Sequence, residues 1–239
     1  MDFGVIVDLE TTGLDPKNDR IIEIGLLEFA AFADRPPAIT RCYGSLEDPG
    51  IPLSEEIKSL TGIGEAELQG MRIDWTQVRD FFAKASIVIA HNAPFDRSFL
   101  EASGKLEGLK PHWACSQRHI DWRKHGKGSL ALNYLAADHG FVNPFAHRAV
   151  FDVATTFRLV APHLEELTRR SYEREVLVRA EGSPFETKDV LRARGYRWCA
   201  ETRCWTRVVV ESEIELERQF LSSEIYRGPT RHTEFIQVW

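Results

Sequence analysis

Apolar and polar positions keep switching rhythm through the first half of the chain, from short apolar runs to stretches with helical spacing. Val5-Ile6-Val7 is a β-branched run that reads as a buried strand, and it leads straight into Asp8-Leu9-Glu10. A turn at Gly13-Leu14-Asp15-Pro16 separates it from residues 20–31, a longer apolar stretch read as a central strand. Asp34-Arg35-Pro36-Pro37 breaks that stretch, and residues 38–44 predict a third strand, so the three form a meander. A short helix is expected over 54–60, ending near Gly62. Asp74, with Gln77 three positions on, opens another helix through Val78, Phe81 and Phe82. Residues 86–90 form a compact buried strand followed by His91-Asn92-Ala93-Pro94-Phe95-Asp96, where Pro94 suits the first turn of a helix running to Gly104. A strand over 113–116, an amphipathic helix over 129–139 closed by Gly140, and one long helix over 149–167 complete this part.

Near Arg169-Arg170-Ser171 the character changes. Residues 172–180 alternate like a strand. Ser183-Pro184-Phe185-Glu186 predicts a capped helix to Gly195. Residues 196–199 and 204–210 predict a hairpin, Ser212 with Glu215 caps a further helix, and 234–239 a last strand. This β-α-β-β-α-β order suggests a small ferredoxin-like module. Two domains are therefore expected, 1–170 and 171–239, the first α/β and the second α+β.

The totals narrow the function classes. Apolar content of 43% and charged content of 28% are those of a water-soluble globular chain. No apolar run approaches the ~20 residues of a membrane span, and no basic N-terminal region precedes an apolar core, so a cytoplasmic protein is expected. The four cysteines lack metal-ligand spacing and read as free thiols. Net charge is −6, so any handling of nucleic acid depends on a local site rather than on bulk attraction.

Such a site is visible in the acids. Asp8 and Glu10 are two apart on a strand and share a face, an arrangement that is costly when buried unless a cation joins it; the alternative is a strand end that has run out into solvent. Asp96 stands one turn into the helix after a buried strand. Asp152 stands early in the long helix, five residues after His147. Taken singly, Asp96 and Asp152 suit the positive end of a helix, and His147 suits a surface loop. Four carboxylates meeting at one edge of an α/β sheet would instead make an oxygen-rich pocket for Mg²⁺ or Mn²⁺. Two such ions roughly 3.5–4 Å apart can activate water and stabilise a leaving oxygen in phosphodiester cleavage. An imidazole, titrating near neutrality, can accept the water's proton.

The motifs Asp8-Leu9-Glu10-Thr11-Thr12-Gly13, His91 to Asp96, and His147 to Asp152 occur in this order. Glu23 in Ile21-Ile22-Glu23-Ile24-Gly25 and the Thr61-Gly62-Ile63 segment accompany them. Over residues 3–168 the chain resembles the DEDDh (DnaQ-like) exonucleases, the family of the proofreading epsilon subunit of bacterial DNA polymerase III. The resemblance implies an RNase H-like mixed sheet flanked by helices, and 3′-to-5′ hydrolysis of single-stranded DNA ends that releases 5′-mononucleotides. It implies that Asp8, Glu10, Asp96 and Asp152 hold two Mg²⁺ or Mn²⁺ ions and that His147 is the general base. It also implies that the backbone around Thr11 and Thr12, with Ile63, His91, Asn92 and Phe95, cradles the terminal nucleotide, Ile63 as an apolar wedge and His91 and Asn92 through polar contacts. RNA as substrate and a non-catalytic nucleic-acid-binding protein are the competing readings. The complete set of acids and histidine opposes the second. The pathway served, whether proofreading, repair or turnover, is not legible, nor are protein partners or oligomeric state.

The second module carries Arg192, Arg194, Arg197, Arg203 and Arg207 interleaved with Tyr196, Trp198 and Trp205. Such a mixture can stack bases on a sheet or simply build a small core with arginines outside. Eleven Lys/Arg against twelve Asp/Glu in 171–239 leave the module without a basic balance. Glu211, Glu213, Glu215 and Glu217 read as a solvated helix face.

Overall fold

The computed structural model of the protein describes residues 2–228 and 233–237, and its chain divides into two compact units, Met1–Thr168 and Arg169–Trp239. The first is built on a five-stranded mixed sheet. Strand β1 (Asp2–Thr11), β2 (Ile21–Ala31) and β3 (Ala38–Leu46) form the expected antiparallel meander. β4 (Ile87–Ala90) and β5 (Trp113–Cys115) add to the other edge of β1 in parallel, giving the order β3-β2-β1-β4-β5.

Alternation along β1 sorts its side chains between two helical layers. Val5, Val7 and Leu9 join a core with Val78, Phe81, Phe82, Phe99 and Leu100. Most of that layer comes from α3 (Trp75–Lys84) and α4 (Ala93–Ala102), which follow α1 (Glu55–Thr61) and α2 (Glu65–Leu68). Ile6, on the opposite face with Asp8 and Glu10, packs with Leu27, Trp122, Leu135 and Val153. That layer draws on α5 (Ser116–His119), α6 (Leu132–Asp138) and α7 (Ala149–Val160). Each fully buried large apolar side chain stabilises by about 1.5–3 kcal/mol. Trp122, Phe29 and Phe81 are among the largest of them.

Local chemistry explains most boundaries. Ser54 caps α1 by accepting from Ile57 N, Gly62 closes it at φ 69°, and Asp74 caps α3 through Thr76 N and Gln77 N. Asp8 and Glu10 do not lie beyond the strand: β1 stays paired through Glu10↔Glu23 and shifts register only between Glu10 and Thr11. The helix expected over 129–139 is shorter, starting at Leu132. The long helix expected over 149–167 is interrupted. α7 ends at Val160, a tightened turn spans Ala161–His163, and α8 (Leu164–Ser171) follows. Pro162 has no N–H to give and crowds the preceding turn.

Two glycines seat α7. Asp8 pairs across the sheet with Gly25, and Gly25 with Gly44. A Cβ on Gly25 would overlap the Ala149 carbonyl, and one on Gly44 would overlap the Val150 side chain. The start of α7 therefore rests directly on sheet backbone, in the row that contains Asp8.

The second unit carries β6 (Glu175–Ala180), β7 (Arg197–Cys199), β8 (Cys204–Val210) and β9 (Thr233–Gln237) in the order β7-β8-β6-β9. All neighbours are antiparallel. With α9 (Lys188–Arg194) and α10 (Ile214–Phe220) as crossovers, this is the split β-α-β topology expected of a ferredoxin-like module. The anticipated last strand begins at Thr233, and residues 238–239 lie outside the described residues. Two expectations fail here. Neither Ser183 nor Ser212 caps a helix; both α9 and α10 are entered through a 3₁₀ turn without a side-chain cap. The acids of 211–217 are not a uniformly solvated face. Glu217 is 1% exposed and bound by Arg194 and Arg207, while Glu213 pairs with Arg170 and Arg207. Of the two readings of the aromatics, the small core is the one the structure supports. Tyr196 is buried in the core and Trp205 packs against it. Trp198 meets Trp205 edge-on at 5.8 Å and is 53% exposed.

Candidate active site

Four separate elements deliver the acids. β1 presents Asp8 and Glu10 on the α7 face, and β2 sets Glu23 opposite Glu10. α4 supplies Asp96, and α7 supplies Asp152. Each arrives for a local reason. The β1–β4 ladder ends at Ile6↔Ile89. Beyond that end the Leu9 N–H donates to Asp96 Oδ1 at 3.0 Å, which ties α4 to the strand between its two acids. Asp152 accepts from the His147 backbone N–H at 3.0 Å and from the Asn143 side-chain amide. It thus binds the loop that carries His147, whose backbone is left-handed at φ 61°. Glu23 accepts from Ala149 N at 3.0 Å and pairs with Arg148, holding the start of α7.

Glu10, Asp96, Asp152 and Glu23 are buried and Asp8 is half-buried. The His147 ring is exposed, and one of its nitrogens lies within 4.8 Å of carboxylate oxygens of Glu10 and Asp152. Burial, reinforced by Asp152, Glu23 and Asp96, pushes Glu10 up to about 8. Burial likewise raises Asp96 to about 8 and Asp152 to about 6, against the hydrogen bonds that favour their charged forms. Asp8 is raised well above the carboxylate range by burial and then by Asp96, Asp152, Glu10 and Glu23. A site of carboxylates that resist losing their protons is a poor salt-bridge cluster and a good receptacle for divalent cations, which supply the missing positive charge. The all-oxygen donor set fits hard ions.

A pH dependence follows. These carboxyls are raised in the folded state, so without metal their contribution is favourable below the ordinary carboxylate range. It is lost as pH climbs toward about 8. Mn²⁺ is expected to raise the melting temperature more at pH 8 than at pH 5.5, in scans run against EDTA controls. An increment independent of pH would refute mutual repulsion as the property of this site.

The predicted substrate residues fare unevenly. Asn92 is exposed at the start of α4 with no side-chain capping bond, and Phe95 is half-buried, its ring tilted against Phe99 with centroids 4.9 Å apart. Thr11 and Thr12 spend their hydroxyls on the following turn, Thr11 donating to Gly13 O and Thr12 to Asp19 Oδ1. Ile63 is 0% exposed, packed with Ile22, Leu53 and Leu68, so its side chain cannot wedge against a base. His91 is also turned inward. Nε2 meets the Leu130 carbonyl at 2.7 Å and Nδ1 the Ser116 hydroxyl at 2.6 Å. A carbonyl only accepts, so Nε2 carries the proton and Nδ1 accepts from Ser116. Burial holds this imidazole down to about 4 and neutral. His91 therefore braces the segment that leads to Asp96 rather than offering polar contacts. Asn143 and Arg148 were not anticipated. Asn143 has no sequence signal beyond standing nine residues before Asp152, whereas Arg148 adjoins His147 in the third motif.

A helix-flanked sheet of order 3-2-1-4-5, with acids from β1, α4 and α7 converging beside a histidine, defines a nuclease-type catalytic domain. Residues 5–160 match the sequence model of the family described as Exonuclease, and the chain belongs to that family, among its DnaQ-like 3′-5′ exonucleases. It is 37% identical over 168 residues to a DNA polymerase III PolC-type protein of Caldanaerobacter subterraneus subsp. tengcongensis, covering 68% of this chain and 12% of that one. It is 32% identical over 176 residues to a DNA polymerase III PolC-type protein of Streptococcus pyogenes serotype M1, covering 68% and 11%. The chain thus matches only a small part of these long relatives. The fold is shared with a 3′-exonuclease solved in 3′-end specific recognition of a histone mRNA stem-loop. That match has TM-score 0.56 and 19% identity and covers 69% of this chain and 82% of that one. A full-length 3′-exonuclease matches at TM-score 0.55 and 20% identity, covering 69% and 61%. Among the described residues no helix is long and apolar enough to cross a membrane.

Proposed function

We propose that this exonuclease hydrolyses single-stranded DNA from its 3′ end and releases 5′-mononucleotides, using two Mg²⁺ or Mn²⁺ ions. The carrying observation is the convergence of Asp8, Glu10, Asp96 and Asp152, with a His147 nitrogen within 4.8 Å of oxygens of Glu10 and Asp152. The four acids would hold the ions. Bound there, divalent cations lower the pKa of a water and stabilise the departing oxygen. His147, on its exposed loop, takes the proton from the attacking water. Asp152 holds that loop in place through the His147 backbone. The backbone around Thr11 and Thr12 remains to meet the terminal nucleotide, together with Asn92 by its amide and Phe95 by its ring edge. DNA is favoured over RNA by the similarity to PolC-type polymerases, which also supports a role in DNA replication or repair.

The test is a 5′-labelled oligonucleotide, as DNA and as RNA, incubated with the protein and Mg²⁺, Mn²⁺ or EDTA. A ladder shortening from the 3′ end of DNA is expected, absent in EDTA. Equal turnover in EDTA would overturn the metal mechanism, and faster shortening of RNA would transfer the reading to an exoribonuclease.

A further inference from the structure

A second group of metal-ligating side chains lies in the first unit and shares no residue with the acidic site. His163 and Glu166 stand three apart where the Ala161–His163 turn runs into α8, so both project from one side of that backbone. His125 comes from a separate turn, closed by His125 N to Asp121 O at 3.2 Å, Lys127 N to Trp122 O at 2.8 Å and Gly126 at φ 76°. One carboxylate joins the two. Glu166 Oε1 accepts from Asp121 N at 3.0 Å, and its Oε2 lies 2.8 Å from His125 Nε2. The His125 and His163 rings are 4.2 Å apart, and one donor atom from each of the three side chains lies within 4.8 Å of the others.

An ordinary ion pair between His125 and Glu166 leaves His163 unexplained. Lys127, the adjacent cation, binds the Asp138 carbonyl at 2.9 Å. Trp122, whose side chain is fully buried, supports the His163 ring edge-on at 5.3 Å, which limits the orientations that ring can take. Two imidazoles and one carboxylate form a donor set for borderline ions, Zn²⁺ foremost, and a poor one for Mg²⁺. Donor atoms in a tetrahedral zinc shell sit roughly 3.4 Å apart.

We propose that His125, His163 and Glu166 bind a single borderline divalent cation, Zn²⁺ by their donor set, and that this ion clamps the 121–127 turn to α8. The site is independent of the acidic centre.

Equilibrium dialysis of the full chain against Zn²⁺ tests this with three proteins: the unaltered chain, His125→Ala, and Asp152→Asn. His125 is at the surface, so its replacement should leave the fold and the Mg²⁺-supported nuclease rate unchanged. The expected result is that His125→Ala loses one ion per chain, or weakens it by about tenfold or more. Asp152→Asn keeps that ion. Co²⁺ substituted for Zn²⁺ should give a visible absorption band in the unaltered chain and in Asp152→Asn, absent in His125→Ala. Equal zinc stoichiometry and equal Co²⁺ spectra in the unaltered and His125→Ala proteins would overturn the proposal. So would an ion that survives His125→Ala and disappears on thiol alkylation, which would assign it to cysteine.

Discussion

Replacing Asp8 by Asn is expected to cut nucleotide release by about a thousandfold or more, while raising the melting temperature of the metal-free protein at pH 8. The two effects come from one cause. The Asp8 carboxyl is raised by burial and by four neighbouring acids, so at pH 8 without metal folding must either bury its charge in a crowded site or take up a proton there, and both cost stability. Asparagine is nearly the same shape and brings no charge, so the fold loses a repulsion and the site loses a ligand. Single-turnover rates in Mg²⁺, with thermal scans in EDTA, check both halves. A variant that is inactive because it melts lower would contradict this account, since activity would then have been lost through the fold.

His147→Ala should lower kcat by about 10²–10⁴-fold and leave the affinity for a DNA oligonucleotide nearly unchanged. The ring is exposed and its nearest relevant atoms are oxygens of Glu10 and Asp152, so its removal disturbs little packing. What holds the loop is the backbone N–H of residue 147 on Asp152, which any substitution except proline retains. Position 147 has a left-handed backbone that asparagine tolerates better than alanine. His147→Asn is therefore the second variant: it keeps the loop and removes the base. If Ala is slow and Asn is fast, the loop and not the imidazole is what matters, and the proposed proton acceptor is wrong. Loss of oligonucleotide affinity in both would place His147 in binding instead.

How much of this was readable beforehand depends on the range of the interactions. The acids are legible because the chemistry asks for carboxylates at strand ends and helix starts, and the local pattern displays both. The meander and the parallel strands follow from apolar runs and turns for the same reason. The break at Pro162 escaped although its cause is local: a proline inside a helical run removes a bond and crowds the turn before it. Other misses were decided by distant partners. Ile63 looks like a loop residue free to touch a base until Ile22 and Leu53 close over it. His91 looks like a polar contact until the carbonyl of Leu130, 39 residues away, claims one nitrogen. Glu217 belongs to an acidic run that reads as solvated. Arg194 and Arg207, 23 and 10 residues away, draw it into the interior. No periodicity within a helix reports a partner on another element.

Gly25 and Gly44 give the catalytic domain a gauge measured in single carbon atoms. The fourth acid, Asp152, and the histidine loop ride on α7, and α7 is spaced from the row containing Asp8 by nothing but bare backbone. One methyl group at position 25 meets the Ala149 carbonyl, which cannot rotate aside as a side chain would. The start of the helix must then lift, taking Asp152 with it, while Asp8, Glu10 and Asp96 stay joined through β1 and the Leu9 N–H. The nuclease is thus divisible into a fixed jaw and a movable one, and the distance between them is written in the absence of two side chains.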